Sequence, residues 1–244
     1  VDIGGLFGKN DRQNPWTPRG ELSFEKGLYE DAVKNFSRAV EHEPQNSSLW
    51  YRLGVSQNRS GQHEQAARSL AKATELDPQN TDAWITLATL LADARRFDEA
   101  VSAISHVTLG DREPFLQELK CEWLERIGRY ADAAAVCSHL TNLRPDDNHL
   151  RMRLAELTLR SGNFAEAKGM FDQLAATAFD DRGMFLSSAA FCCEMLNDRD
   201  GALVRYAGLS ENDPTGWYRR ARLEESMGKY KDAAASYGMV QQYS

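Results

Sequence analysis

The residues most able to do chemistry are spread along this chain without the spacing that a reaction centre needs. The five histidines are scattered, and none stands four residues from another histidine. The four cysteines form no Cys-x-x-Cys pair, and the adjacent Cys192 and Cys193 would face different sides of a helix. No glycine-rich phosphate loop or Gly-x-Ser-x-Gly turn occurs. We therefore predict no enzyme activity, no metal and no cofactor.

Charge and hydropathy argue against two classes of binding surface. The 244 residues have a formal net charge of −7 and an isoelectric point near 5.3, which opposes sequence-independent binding to nucleic acid. The longest apolar stretch, from Trp84 to Ala92, has about half the length that a bilayer requires. Buried free thiols would suit a reducing compartment. We expect a cytoplasmic protein without direct membrane insertion, although a removed signal or anchor before Val1 also fits.

The elements that must position the functional residues are helices, and they follow a repeat. Between Ser47 and Asn80, two apolar stripes at helical spacing stand on either side of Gly61, and Pro78 closes the unit. A tryptophan recurs every 34 residues, at Trp16, Trp50 and Trp84. This recurrence indicates an array of similar helical units.

The pattern resembles the tetratricopeptide repeat, a helix–turn–helix with Trp, Leu-Gly, Ala and a terminal Pro. The resemblance covers residues 13–244 and implies an all-α fold, an α-solenoid of about seven antiparallel helix pairs in a right-handed superhelix. After a flexible leader over residues 1–12, the expected repeats are 13–46, 47–80, 81–113, 114–147, 148–182, 183–213 and 214–244. The third repeat lacks the usual glycine between its helices and has Arg95 and Arg96 there.

The resemblance implies a non-catalytic scaffold or adaptor that binds a peptide or helix of a partner protein. In this family the first helix of each pair lines a concave groove. Carried onto this sequence, the groove residues are Tyr51, Val55, Ile85, Glu118, Glu122, Glu125, Met152, Glu156, Phe191, Tyr218 and Arg222. Glutamates and apolar side chains alternate there, so we expect a partner with basic and hydrophobic residues. The alternative for the glutamates is a solvated helix face, with Glu122 and Arg126 as an ordinary i, i+4 pair.

Two other functions fit the same sequence. One is a structural array that forms homo-oligomers, favoured by the finish of the chain at Ser244 without a polar capping helix. The other is an interaction module of a larger enzyme or membrane complex. Binding of an acidic chaperone tail is disfavoured, because the Lys and Asn that grip it in the family are replaced here by Thr17, Glu21 and Arg52.

Overall fold

The computed structural model describes residues 14–107, 113–177, 181–208 and 213–242, and the expected leader over residues 1–12 lies outside these ranges. Within these ranges the regular elements are fourteen α-helices, and no strand is present. In chain order they are α1 (Trp16–Glu25), α2 (Tyr29–His42), α3 (Ser47–Arg59), α4 (His63–Leu76), α5 (Thr81–Asp93), α6 (Phe97–Ile104), α7 (Glu113–Arg126), α8 (Tyr130–Leu143), α9 (Asn148–Arg160), α10 (Phe164–Thr177), α11 (Arg182–Met195), α12 (Arg199–Tyr206), α13 (Pro214–Ser226) and α14 (Tyr230–Gln242).

The chain divides into two compact units, Val1–Glu113 and Pro114–Ser244. In the first unit α1 packs on α2, α3 on α4 and α5 on α6, and these pairs contact one another through α2 with α3 and α4 with α5. In the second unit the same neighbour-to-neighbour packing runs from α8 to α14. Helices that contact chiefly their chain neighbours form a solenoid. The predicted all-α solenoid fold class is confirmed.

The apolar stripes of the sequence form the contact between the two helices of a pair. On α4, Ala66, Leu70 and Ala73 are fully buried, as their i, i+4, i+7 spacing predicts. Gly54 of α3 lies directly opposite, and a Cβ built on it would stand 2.7 Å from Cγ of Leu70. A small residue on the first helix therefore makes room for a large one on the second.

A short segment joins each pair to the next, and its residues have separate tasks. Pro44 follows the end of α2, the Asn46 side chain accepts a hydrogen bond from the Leu49 backbone N–H, and Trp50 Nε1 donates to the Pro44 carbonyl at 2.9 Å. The same arrangement recurs one repeat later at Pro78, Asn80 and Trp84. The recurring tryptophan thus ties the start of one pair to the end of the preceding pair, in addition to filling space.

The turn inside each pair requires a left-handed backbone. Each of the seven turns between paired helices, all within the described residues, has one residue with positive φ. Five are glycines, namely Gly27, Gly61, Gly128, Gly162 and Gly228. The third and sixth pairs use Arg95 (φ 61°) and Asn197 (φ 60°) instead. Asparagine tolerates this region, whereas arginine does not adopt it readily, so Arg95 is the most strained of the seven.

The strain at Arg95 predicts a stabilising substitution. Arg95→Gly should raise the free energy of unfolding by about 0.5 to 1 kcal/mol, because relief of the left-handed strain outweighs the extra entropy of glycine in the unfolded chain. Gly61→Ala, at a turn with open space around the glycine, should lower it by about 1 kcal/mol. Urea unfolding followed by circular dichroism measures both; a loss of stability in Arg95→Gly would contradict the explanation.

The close contact at Gly54 predicts a second pair of outcomes. Gly54→Ala should lower the free energy of unfolding by about 1 to 3 kcal/mol, since the new methyl group would meet Leu70 and its backbone nitrogen. Gly169→Ala on α10 is the matched control, because nothing lies within 4 Å of its added Cβ. That change should stabilise the protein by about 0.5 to 1 kcal/mol through helix propensity alone. Equal effects of the two changes would exclude a steric cause.

Candidate functional site

All eleven predicted groove residues lie on the first helices of their pairs. The first unit contributes Tyr51 and Val55 from α3 and Ile85 from α5, and all three side chains are half-buried. The second unit contributes Glu118, Glu122 and Glu125 from α7, Met152 and Glu156 from α9, Phe191 from α11, and Tyr218 and Arg222 from α13. Of these eight, the exposed ones are Glu122, Glu156, Tyr218 and Arg222. The second unit therefore carries the more accessible part of the predicted surface.

The glutamates of α7 are paired with arginines. Glu118 forms an ion pair with Arg144, which follows α8. Glu125 accepts a hydrogen bond from Nε of Arg153 on α9 at 2.7 Å. These contacts neutralise much of the negative charge that the sequence places on α7, and the pair of Glu125 with Arg153 also ties the fourth helix pair to the fifth.

Glu122 forms an exposed i, i+4 ion pair with Arg126, which is the alternative to a binding role that the sequence predicts for this glutamate. Nη2 of Arg126 lies 2.8 Å from Glu122 Oε1, and both side chains are about half exposed, at 50% and 49%. An exposed i, i+4 pair contributes little to stability. By contrast, neither Glu156 nor Arg222 has a salt-bridge partner among the described residues.

Arginines on the first helices are functional candidates that the sequence analysis did not select. Three arginines occupy equivalent positions, each two residues before the small residue that faces the second helix of its pair. They are Arg52 before Gly54, Arg153 before Ala155 and Arg219 before Ala221. Arg52 lies 3.9 Å from Glu21 of the preceding pair, and Arg153 bonds Glu125 of the preceding pair. Their recurrence at one repeat position is a signal that an alignment of the repeats would have found.

Aromatic rings and arginine form a mixed surface on α11 and α13. The guanidinium carbon of Arg219 lies 4.5 Å from the ring centroid of Phe191, and Phe164 meets the same ring edge-on at 6.5 Å. Further along, Tyr218 meets Tyr237 edge-on at 6.0 Å, and the Tyr237 hydroxyl donates to Glu225 at 3.1 Å. Phe191 is therefore partly covered, while Tyr218 keeps 46% of its surface exposed.

Two acidic side chains of the second unit take part in its internal hydrogen bonds. Glu194 accepts a hydrogen bond from the hydroxyl of Tyr206, which is fully buried on α12. Burial, together with this hydrogen bond, raises the pKa of Tyr206, so the phenol remains a donor. In the last pair, the buried carboxylate of Glu224 accepts hydrogen bonds from Arg220 at 2.8 Å and from Ser236 at 2.7 Å. Neither carboxylate is available to a partner in this state.

The described residues contain no group of three or more His, Cys, Asp or Glu side chains that could hold a metal ion. Across the same ranges, no helix has the length and apolar character needed to cross a membrane. What the first helices offer is a surface of aromatic, apolar and charged side chains, which is suited to binding another polypeptide.

Residues 16–189 match the family model of the cilia and flagella-associated protein 70 C-terminal domain, a tetratricopeptide-repeat domain. The chain belongs to this family. The match takes in well over half of the 244 residues and runs through both units. The tetratricopeptide resemblance predicted from the sequence is confirmed. No curated protein matches the chain.

Solved structures with the same fold are distant in sequence. A chain in the structure of Naa15/Naa10 bound to HypK-THB matches with a TM-score of 0.73 and 15% identity, over 93% of this chain and 36% of that one. A tetratricopeptide repeat protein from Parabacteroides merdae matches with a TM-score of 0.50 and 17% identity, over 93% and 91%. The MamA protein matches with a TM-score of 0.51 and 16% identity, over 73% and 90%. At these identities the likeness establishes the fold alone.

The two kinds of glutamate on α7 predict different responses to substitution. Glu125→Gln should lower the free energy of unfolding by about 1 kcal/mol, because the Glu125 and Arg153 side chains are only 27% and 31% exposed and lose a charge-assisted bond. Glu122→Gln, the control on the same helix, should change it by less than about 0.5 kcal/mol. Chemical denaturation measures both; equal values would mean that Glu125 acts only as a surface charge.

Proposed function

We propose that this chain is a non-catalytic scaffold that binds a segment of another protein along the first helices of its second unit. The observation that carries the proposal is the exposure of Glu122, Glu156, Tyr218 and Arg222. The core does not need these side chains, since the buried positions of the same helices are occupied by Leu157, Ala155, Ala221 and Leu223, among others. Large exposed side chains on otherwise well-packed helices favour a binding role.

The proposed partner segment has hydrophobic residues and at least one basic residue. Tyr218 and the half-buried Met152 and Phe191 offer apolar surface, and Glu156 offers a carboxylate without a salt bridge among the described residues. The arginine pairs of Glu118 and Glu125 reduce the attraction for a strongly basic partner. We therefore place more weight on the apolar contacts than on charge.

The comparisons support the class of function at the level of the fold. The Naa15/Naa10 structure includes bound HypK-THB, so one chain with this fold belongs to a multiprotein assembly. The family takes its name from a cilia and flagella-associated protein, which makes ciliary and flagellar complexes reasonable first sources of a partner. The four buried free cysteines favour a reducing compartment such as the cytoplasm.

Two tyrosines of the last pair provide a matched test of the proposal. Tyr218→Ala removes an exposed ring from the first helix, and Tyr230→Ala removes a ring that is 71% exposed from the second helix. In affinity capture from native lysate, a partner should be lost with Tyr218→Ala and retained with Tyr230→Ala. Titration of that purified partner should then give a Kd about tenfold weaker for Tyr218→Ala only.

Charge variants extend the same comparison. Arg222→Glu on α13 should weaken binding, and Lys231→Glu on α14 should not, although both residues are exposed. Equal effects in the α13 and α14 variants would move the binding surface away from the first helices. Capture of the chain by itself, with a dimeric mass in light scattering, would replace the proposal with the alternative of a self-associating array.

A further inference from the structure

Two buried cysteines face each other across the fourth helix pair. Cys121 on α7 and Cys137 on α8 are both free and fully buried. The Cys121 sulfur lies 3.6 Å from the carbonyl oxygen of Ala133, which itself belongs to α8. A thiol of the first helix is therefore in contact with the second helix of its own pair.

The repeat explains why these two positions come so close. Cys121 precedes the turn glycine Gly128 by seven residues and Cys137 follows it by nine, as Gly54 and Leu70 do around Gly61. In that second repeat, a Cβ on Gly54 would lie 3.2 Å from the backbone nitrogen of Leu70. By the same register, Cys121 and Cys137 stand where the paired helices of the fourth repeat approach each other, in agreement with the contact of the Cys121 sulfur with α8. A disulfide between them would require their Cβ atoms to lie about 3.5 to 4.5 Å apart.

The thiols already interact, and charged groups stand beside them. The interaction between the two thiols lowers the pKa of Cys137 and raises that of Cys121. The Cys121 thiol stands 3.6 Å from the Ala133 carbonyl, and the Cys137 thiol donates to the Leu150 carbonyl at 3.6 Å. The Arg153 guanidinium also favours the thiolate form, while burial and the Glu125 carboxylate oppose it. Glu125 Oε1 is 3.6 Å from the Cys121 sulfur and holds Arg153 in place. Since Glu125 and Arg153 are partly exposed, the thiol pair lies one side chain beneath the surface.

We propose that Cys121 and Cys137 form a redox-active dithiol that closes to a disulfide between α7 and α8. The co-reactant is a hydroperoxide. The Cys137 thiolate attacks one peroxide oxygen, which gives a sulfenic acid and releases hydroxide. Cys121 then attacks the sulfenic sulfur, and its proton and the departing oxygen leave as water. For hydrogen peroxide, two thiols and one peroxide yield one disulfide and two waters.

The other two cysteines have surroundings of a different kind. Cys192 packs with Phe171 and Phe185, whereas its neighbour Cys193 packs in a separate cluster with Tyr206 and Leu223. The two thiols therefore point into different parts of the core and are not placed to bond each other. Burial raises the pKa of Cys192 to about 11, which keeps it protonated and unreactive. Cys192 and Cys193 therefore serve as an internal control for the oxidation of Cys121 and Cys137.

Peptide mapping after oxidation tests the proposal on the intact chain. The protein is reduced, treated with increasing hydrogen peroxide, alkylated and digested with trypsin. The expected product is a cross-linked pair of peptides, Cys121–Arg126 with Tyr130–Arg151, lighter than the sum of the two reduced peptides by two hydrogen atoms; trypsin leaves the Arg144–Pro145 bond intact. Cys192 and Cys193, which share the tryptic peptide Gly183–Arg199, should be recovered alkylated. Recovery of Cys121 and Cys137 as alkylated thiols or sulfinic acids would overturn the proposal.

Variants separate the cross-link from general oxidation. Cys121→Ala should fold, because Ala88 and Ala155 occupy the same repeat position, and it should leave Cys137 as an uncoupled sulfenic acid that a dimedone probe captures.

Arg153→Met should slow cross-linking several-fold, and Arg153→Lys should restore the rate. The control is Arg151→Met, an exposed position on the same helix, which should cross-link at the wild-type rate. Cross-linking at the same rate in Arg153→Met would remove Arg153 from the mechanism, and a dimedone-negative Cys137 would contradict its role as the attacking thiolate.

Discussion

The fold depends on the close approach of the two helices in each pair. A residue with little or no side chain on the first helix faces a large one on the second, as Gly20 faces Phe36 and Gly54 faces Leu70. This contact lets the backbones come close enough to exclude water, and it fixes which stripe of each helix points inward. Everything outside that stripe is left for contacts between pairs or for a partner. A pair cannot bury all its apolar surface alone, so the next pair completes the core.

Contacts between successive pairs add directional bonds to this packing. The indole N–H groups of Trp50 and Trp84 bond carbonyls of the preceding pair, and Arg153 reaches back to Glu125. In the sixth pair, Arg205 holds Asp172 of the fifth at 2.8 Å. Burial of Asp172 would raise the pKa of its carboxyl, but Arg205 and Lys168 together lower it. The indole bonds join residues six apart and the arginine bonds join residues 28 and 33 apart, and together they set the position of each pair on its neighbour.

Such bonds also change the chemistry of the candidate surface. Glutamates that the sequence places in a row on α7 are divided by their surroundings into a half-buried structural pair, Glu125 with Arg153, and an exposed pair, Glu122 with Arg126. The charge of a side chain alone therefore does not indicate whether it is available to bind a partner. Better guides are the exposure of a side chain and the lack of a hydrogen bond or ion pair among the described residues, and they select Tyr218, Arg222 and Glu156.

The fourth pair departs from the others at its central contact. Where other pairs place glycine or alanine against a large residue, it places Cys121 against Cys137, and the space is filled by two polarisable sulfurs. Alanine stands at the same repeat position in Ala88 and Ala155, so the register itself does not require a cysteine there. The cysteine pair adds the reactivity that we propose for this repeat.

The sequence by itself determined the all-α solenoid, because the small and large residues that pack a helix pair stand at fixed distances along the chain. It also determined that residues such as Tyr218 and Arg222 fall on first helices, since their places follow from the same register. Only the tertiary structure decided that Arg95 takes a left-handed backbone, that Glu118 and Glu125 bind arginines 26 and 28 residues away, and that the Cys121 sulfur lies against the Ala133 carbonyl of α8. A helical period specifies which face a side chain occupies, whereas ion pairs and thiol contacts depend on how neighbouring helices are placed in space.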